Sequence, residues 1–174
     1  MATDKKLIVL SGLPGSGKST LSNLLSKKTG FPVLSVDPIE SSIIKSGIEK
    51  SFETGYAAYL VAETLAKEQF SNGLSVIIDA VNAEDEAKQV WISLAKELGV
   101  PIIVLECTLD EEIHKARLAA RVRGLHGIEE ISWDRVENCR SVSTKWPMES
   151  KSVDTLDLTA KSIDSLIEYI DTSK

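Results

Sequence analysis

Residues 12–19 read Gly12-Leu13-Pro14-Gly15-Ser16-Gly17-Lys18-Ser19 and match the pattern G-x-x-x-x-G-K-[ST] at every fixed position. An apolar segment, Leu7-Ile8-Val9-Leu10, precedes the motif and is typical of a buried strand. The segment that begins at Thr20 has the apolar spacing of a helix. A strand that leads through a glycine-rich turn into a helix is the context in which this motif binds phosphate. A chance loop of glycine and serine is therefore the weaker interpretation.

The residue types of the motif suit the binding of a nucleoside triphosphate. Glycines let backbone N–H groups converge on phosphate oxygens, and the helix that follows adds positive potential at its N-terminus. Lys18 is predicted to contact the β- and γ-phosphates, and the Ser19 hydroxyl to ligate Mg²⁺. The nucleotide-binding residues predicted in this segment are Gly12, Leu13, Pro14, Gly15, Ser16, Gly17, Lys18, Ser19 and Thr20.

Length and composition indicate one globular domain over residues 1–174. The chain is 43% hydrophobic and 26% charged, and its formal net charge of −6 argues against a general nucleic-acid binder. We find no signal-peptide pattern and no apolar run of membrane-spanning length. Two cysteines, Cys107 and Cys139, lie outside any metal-ligand spacing, so we expect a cytoplasmic protein with free thiols. His114 and His126 are isolated and are assigned no metal role.

Strand and helix patterns alternate along the chain and predict an α/β fold. Strands are expected at residues 7–10, 31–37, 75–79, 102–105 and 153–158. Continuous apolar strands joined by helices form a parallel sheet that is covered by helices on both faces. Ligands of such sheets bind beyond the carboxyl ends of the strands. The phosphate loop, Asp37 and Asp79 should therefore converge on one cleft.

Asp37 and Asp79 are the carboxylates expected at this cleft. Asp37 is a candidate general base for an incoming hydroxyl, or it only caps the helix that begins around Pro38, and the spacing favours neither role. Asp79 is expected to support Mg²⁺ beside Ser19. Asn82 either caps the following helix, which is the favoured role, or contacts the substrate.

Arginine is confined to one region of the chain. The five arginines are Arg117, Arg121, Arg123, Arg135 and Arg140. Guanidinium groups suit bidentate contact with phosphate, so we assign Arg121 and Arg123 to a lid over the donor phosphates. Arg117 either joins them as a nucleotide-binding residue or pairs with Glu111 or Glu112 on a solvated helix face.

The region before these arginines contains none from residue 19 to residue 116. A phosphorylated acceptor would normally be held by arginine, so a neutral or cationic hydroxylated acceptor fits this region better. Four aromatic side chains either line an acceptor pocket or pack in the core, namely Phe52, Tyr56, Tyr59 and Trp133.

Together these segments resemble the small P-loop kinases of the nucleoside-monophosphate-kinase-like fold. The branch is that of the polynucleotide 5′-hydroxyl kinases, chloramphenicol phosphotransferase and zeta-toxin-like kinases, which includes AAA-type ATPase-like proteins. The resemblance rests on residues 12–20, 36–37, 77–82 and 117–121. It implies a single-domain P-loop NTPase with a five-stranded parallel sheet sandwiched by helices, the strand before Asp37 at an edge, and a helical lid over about residues 117–145. It also implies ATP and Mg²⁺ as cofactors, Asp37 as the general base and Arg121 as a lid arginine on the transferring phosphate.

One departure from the family pattern concerns the acceptor. Polynucleotide kinases carry an arginine three residues after the base, and this chain has Glu40 there. We therefore expect a phosphotransferase that moves the γ-phosphoryl group of ATP to a hydroxyl of a small, non-phosphorylated molecule. The alternatives are a polynucleotide 5′-hydroxyl or nucleotide kinase, and a regulatory ATP-binding or ATPase module that acts through a protein partner. The sequence predicts no oligomeric state.

Overall fold

The computed structural model describes residues 5–120 and 124–173, in which strands and helices alternate. The strands are β1 Leu7–Ser11, β2 Val33–Ser35, β3 Val76–Asp79, β4 Ile102–Thr108 and β5 Ser150–Asp154. The helices are α1 Lys18–Thr29, α2 Val36–Lys45, α3 Phe52–Ser71, α4 Asp85–Leu98, α5 Glu111–Ala120, α6 Trp133–Val142 and α7 Ala160–Thr172.

The five strands form one parallel sheet in the order β2-β3-β1-β4-β5. The predicted five-stranded parallel sheet is confirmed, and β2 lies at an edge as the resemblance implied. Asp79 is in register with Leu10 of β1 and with Ser35 of β2. The carboxyl ends of these three strands therefore lie side by side beneath the loop that follows β1.

Side chains of β1 alternate between two apolar layers because successive residues of a strand point to opposite faces. Leu7 and Val9 pack with α3 and α4, whereas Ile8 and Leu10 pack with α1 and α7. All four are fully buried. The sheet is thus sandwiched between helices. The edge formed by the carboxyl ends of its strands is covered only by loops. Among the described residues, no helix is both long and apolar enough to cross a membrane.

Two predicted strands have other limits in the structure. The strand expected at residues 31–37 spans only Val33–Ser35, and Asp37 lies in the first turn of α2. Pro38 explains the early helix start, since its fixed φ suits the first turn of a helix and its missing N–H costs nothing there. The last strand begins at Ser150, earlier than the expected 153–158, because it pairs with β4 from Val104 onwards.

Candidate active site

The glycine-rich loop connects β1 to α1 and contacts neighbouring segments closely. Gly12 and Gly17 have φ values of 143° and 93°, which residues with a side chain rarely adopt. A Cβ atom on Gly12 would lie 2.5 Å from the Cys107 carbonyl oxygen, and one on Gly17 would lie 2.8 Å from the Thr155 side chain. Glycine is therefore required at both positions by conformation and by space.

Lys18 lies at the first turn of α1 and places its ammonium group against the loop. The side chain is buried, and Nζ donates to the carbonyl oxygens of Gly12 at 2.8 Å and Leu13 at 3.0 Å. These carbonyls help to compensate the desolvation of the cation. The structure thus holds a positive charge where the motif predicts contact with phosphate.

Ser16 carries a buried hydroxyl that has no hydrogen-bond partner. Ser16 Oγ and Trp146 Nε1 are the two such side-chain atoms in the described part of the chain. Ser16 lines a cavity of about 270 Å³, together with His114 of α5, Glu106 of β4 and Arg140 of α6. Gly12, Leu13 and Ser16 of the phosphate loop line this cavity, whereas Lys18, Asp37 and Asp79 do not. A free buried donor beside glycine-lined backbone fits an anionic ligand of the loop.

Asp79 ends β3 beside the phosphate loop. Its side chain is buried, and Oδ2 accepts a hydrogen bond from Ser35 Oγ at 3.0 Å. Ser19, the other predicted Mg²⁺ residue, is exposed on α1. Within residues 5–120 and 124–173, no three His, Cys, Asp or Glu side chains form a metal-binding group. This donor set fits Mg²⁺, which protein sites bind through one or two side chains, water and the phosphates of the substrate.

Asp37 is half-buried and its charge acts on two side chains of other helices. The pKa of Tyr59 on α3 is raised, mainly by burial and also by Asp37. The pKa of Cys139 on α6 is raised mainly by burial, with Asp37 raising it further and Lys18 lowering it. Because β1 and β2 both pair with β3, the segments that follow them, which carry Lys18 and Asp37, lie at the same edge of the sheet.

The prediction that Asn82 caps α4 is wrong, because residue 84 occupies the N-cap position of that helix. The Asn82 side chain is buried, donates from Nδ2 to the Leu10 carbonyl at 2.9 Å and accepts from Trp91 Nε1 at 2.8 Å. Its backbone N–H donates to the Tyr59 hydroxyl at 3.3 Å. Asn82 therefore joins β1, α3 and α4 directly below the loop.

His114 and Thr155 were not predicted as site residues, and both contact the phosphate loop. His114 Nε2 lies 2.8 Å from the Pro14 carbonyl, and Thr155 Oγ1 donates to the Ser16 carbonyl at 2.5 Å. These contacts join residues 100 and 139 positions apart. No short sequence pattern connects such positions, which is why the motif alone could not identify them.

Of the three arginines predicted to contact the nucleotide, the structure describes one. The Arg117 guanidinium donates from both terminal nitrogens to the Thr155 carbonyl at 3.3 Å, while Arg121 and Arg123 lie outside the described residues. Arg140 pairs with Glu111 at 3.4 Å and with Glu137 at 2.9 Å. Arg117 is therefore held next to the loop, and its role toward a nucleotide stays a prediction.

The predicted aromatic residues divide between two places. Phe52 and Tyr56 are exposed on α3 with parallel rings 6.3 Å apart, and Tyr59 packs against Trp91 at 5.8 Å. Trp133 lies across the loop from them, against His114. The four residues therefore do not form one pocket.

Comparison with known proteins gives a family match and curated relatives. The profile of the AAA domain family (AAA_33) matches residues 7–139. The bifunctional polynucleotide phosphatase/kinase of Schizosaccharomyces pombe is 31% identical over 111 residues, which cover 63% of this chain and 22% of that protein. The adenylate kinase of Thermobifida fusca is 29% identical over 149 residues, or 76% of this chain and 74% of that enzyme. This chain thus spans less than a quarter of the first relative and about three quarters of the second.

Solved structures share the fold over nearly the whole chain. A sugar kinase from Janibacter sp. HTCC2649 has a TM-score of 0.71 at 16% identity, covering 96% of this chain and 95% of that one. The APS kinase of Mycobacterium tuberculosis, in complex with AMPPNP and APS, has a TM-score of 0.70 at 16% identity, with 97% and 98% covered. At these identities the likeness establishes a common fold.

Proposed function

This chain belongs to the AAA domain family, and we propose that it is an ATP- and Mg²⁺-dependent kinase that phosphorylates a hydroxyl of a small, non-phosphorylated molecule. It has the fold of P-loop kinases and the complete phosphate-binding motif. The observation that carries the proposal is that β1 and β2 both pair with β3, so that the phosphate loop after β1 and Asp37 after β2 lie at the carboxyl ends of strands on either side of β3. This arrangement supports Lys18 as the cation on the donor side of one cleft and Asp37 as the base on its acceptor side.

In this proposal the loop and Lys18 bind the triphosphate of ATP. Backbone N–H groups of the loop, among them those of Gly15 and Gly17, and the N-terminus of α1 supply donors and positive potential. Ser19 and Asp79 would hold Mg²⁺, the ion that neutralises charge on the β- and γ-phosphate oxygens when it is bound. Lys18 exchanges contacts with the Gly12 and Leu13 carbonyls for contacts with phosphate oxygens.

Asp37 acts on the acceptor. The acceptor oxygen attacks the γ-phosphorus in line, the bond from that phosphorus to the β–γ bridging oxygen breaks, and ADP leaves. The hydroxyl proton passes to the Asp37 carboxylate as the new P–O bond forms. Arg121 and Arg123, with Arg117, are proposed to stabilise the charge of the transferring group from a lid over about residues 117–145.

The charges around Asp37 support an acceptor without a phosphate group. Helices α2 and α3 carry no arginine, and Glu40 Oε1 accepts a hydrogen bond from Thr54 Oγ1 at 3.2 Å. This carboxylate therefore lies between the two helices of the proposed acceptor side, where it would repel a phosphate. We place the protein in the cytoplasm, where ATP is present and thiols are kept reduced, and the two free cysteines, Cys107 and Cys139, agree with this.

A second candidate is a polynucleotide 5′-hydroxyl or nucleotide kinase, because the curated relatives include a polynucleotide phosphatase/kinase and an adenylate kinase. The third, a regulatory ATPase, would bind and hydrolyse ATP without transferring phosphate to an acceptor. The three candidates differ in where labelled γ-phosphate goes.

The test follows γ-³²P from MgATP into a panel of sugars, polyols and amino alcohols, with 5′-hydroxyl oligonucleotides and nucleoside monophosphates as separate arms. We expect label in one or more of the uncharged or amine-bearing alcohols. Label confined to oligonucleotide or monophosphate establishes the second candidate, and label only in inorganic phosphate establishes the third.

Asp37→Asn tests the proposed base within the same assay. We expect transfer to fall by at least about 100-fold, the lower end of what general base catalysis contributes, while the Kd for ATP changes less than twofold. Glu49→Gln, in the exposed connection between α2 and α3, is the matched loss of a negative charge and should retain full transfer. Full activity in Asp37→Asn would remove the base role.

A further inference from the structure

We propose that His114 and Thr155 are positioning residues that set the phosphate loop in its binding conformation by holding two of its carbonyl groups outward. The proposal rests on the proposed function, because it concerns how the loop binds ATP. Neither residue belongs to the phosphate-binding motif, and they approach the loop from different segments, α5 and the turn that follows β5.

Each of the two carbonyl contacts fixes the direction of a whole loop peptide. In a trans peptide the C=O of one residue and the N–H of the next point in opposite directions, and no cis peptide occurs among the described residues. The Pro14 carbonyl points at His114, so the Gly15 N–H points the other way. The Ser16 carbonyl points at Thr155, so the Gly17 N–H is turned away from Thr155 in the same manner. Two of the N–H donors on which phosphate binding depends are thereby fixed in direction.

In both contacts the side chain is the hydrogen-bond donor and the loop carbonyl is the acceptor. A carbonyl only accepts, so Nε2 of His114 carries the hydrogen in this contact. Thr155 Oγ1 is likewise the donor to the Ser16 carbonyl. His114 is 2% exposed and Thr155 is 3% exposed, so water does not compete for either carbonyl. Without these donors the two loop carbonyls would be buried and unpaired, and rotation of the peptides would be favoured.

The neighbouring atoms keep both donors in place. A Cβ atom on Gly15 would lie 3.1 Å from His114 Nε2 and 2.4 Å from Leu118, so α5 fits closely against the loop. On its other side the His114 ring meets the ring of Trp133 edge-on at 5.5 Å. Thr155 is held in place by a backbone hydrogen bond, in which its N–H donates to the Thr108 carbonyl at 3.0 Å. Both donor side chains are thus fixed by the packing around them.

The charges that face His114 favour a neutral ring. Its pKa is lowered, first by burial and then by Lys18 of α1, Arg140 of α6 and Arg117 of its own helix, against the opposing effect of the Pro14 hydrogen bond. The neutral Nε2–H tautomer meets the geometric requirement and adds no cation to this cluster.

Paired substitutions separate positioning from general packing. Thr155→Val removes the hydroxyl at nearly constant volume, and Thr155→Ser retains it. His114→Phe removes the donor but retains a ring, and His114→Gln retains an N–H at the Nε2 position. We expect the Kd for the non-hydrolysable analogue AMPPNP with Mg²⁺, measured by calorimetry, to rise about tenfold in Thr155→Val and His114→Phe, as for a buried group left unpaired. Thr155→Ser and His114→Gln should stay within about threefold of the unsubstituted protein.

Three results decide the matter. If the donor-free variants melt earlier but bind AMPPNP with unchanged Kd at 15 °C, the residues are structural only and the proposal is wrong. If His114→Phe does not fold, Thr155→Val and Thr155→Ser test the same claim on the smaller side chain. If the unsubstituted protein does not bind AMPPNP, the proposed function and this proposal both fail, whereas binding by that protein with unaffected variants overturns the positioning role alone.

Discussion

Lys18 combines a buried charge with partners that a ligand can replace. Its ammonium is bonded to two carbonyls of the loop that surrounds it, so the loop carries its cation in place before any phosphate is bound. In the proposed function, binding of ATP replaces the neutral carbonyl acceptors with charged phosphate oxygens, which adds the Coulomb attraction of an ion pair to hydrogen bonds that the ammonium already strengthens. We therefore propose that Lys18 contributes to nucleotide affinity as well as to the conformation of the loop.

Lys18→Ala should therefore weaken ATP binding and abolish transfer. The loss of a charge-assisted hydrogen bond of about 1.5–3 kcal/mol corresponds to a Kd increase of roughly 10- to 150-fold. Calorimetric titration with MgATP measures it. Lys28→Ala, which removes an exposed lysine of the same helix that pairs with Asp164 at 2.8 Å, should leave the Kd unchanged. Equal affinity of the two variants would contradict the assignment of Lys18.

At the scale of the elements, the site is held together by residues that no local pattern reveals. The β1–loop–α1 unit was predicted because all of its signals lie within fourteen consecutive positions, 7–20. The start of α2 was misplaced by two residues because Asp37 and Pro38 suit a strand end as well as a first helical turn. Asn82 was read as a cap because the acidic residues after it resemble a first turn, whereas its partners Leu10 and Trp91 come from two other elements. Tertiary contacts of this kind can be found only once the chain is folded.

Asn82→Ala should destabilise the protein through these elements. The substitution leaves the Leu10 carbonyl and the Trp91 indole N–H without their partners, and an unpaired buried group costs about 1–3 kcal/mol. Asn82 also has a φ of 53°, a conformation that asparagine tolerates better than alanine. We expect the free energy of unfolding in urea to fall by about 2–4 kcal/mol in total.

The control for this loss is Asn23→Ala on the exposed side of α1. A surface substitution of this kind should change the unfolding free energy by no more than about 0.5 kcal/mol. A similar small effect at Asn82 would mean that its hydrogen bonds contribute nothing net to the joint between β1, α3 and α4.

At the scale of the whole molecule, the proposed lid region contacts the proposed acceptor side at a place away from the phosphate loop. The segment before α6 packs on α2, the helix that carries Asp37. Ser41 Oγ of α2 donates to the His126 carbonyl at 2.9 Å, and Gly127 lies against Ile44. The proposed lid region is therefore in direct contact with the proposed acceptor side. A change in this contact should affect the acceptor more than the nucleotide.

Gly127 and Gly124 form a matched pair that tests this coupling. Both have positive φ, 69° and 62°, so alanine is strained to a similar degree at each, by about 1 kcal/mol. They differ in space, because a Cβ on Gly127 would lie 2.3 Å from Ile44 Cγ2, whereas one on Gly124 meets nothing within 4 Å. Gly127→Ala must therefore displace either the segment or Ile44 of α2. We expect Gly127→Ala to lose phosphoryl transfer at least tenfold or to show a matching rise in KM for the acceptor. Its Kd for MgATP should stay within twofold of that of the unsubstituted protein. Gly124→Ala should keep most of its activity. If both variants lose activity equally, backbone strain accounts for the effect and the contact between residues 124–132 and α2 has no part in catalysis.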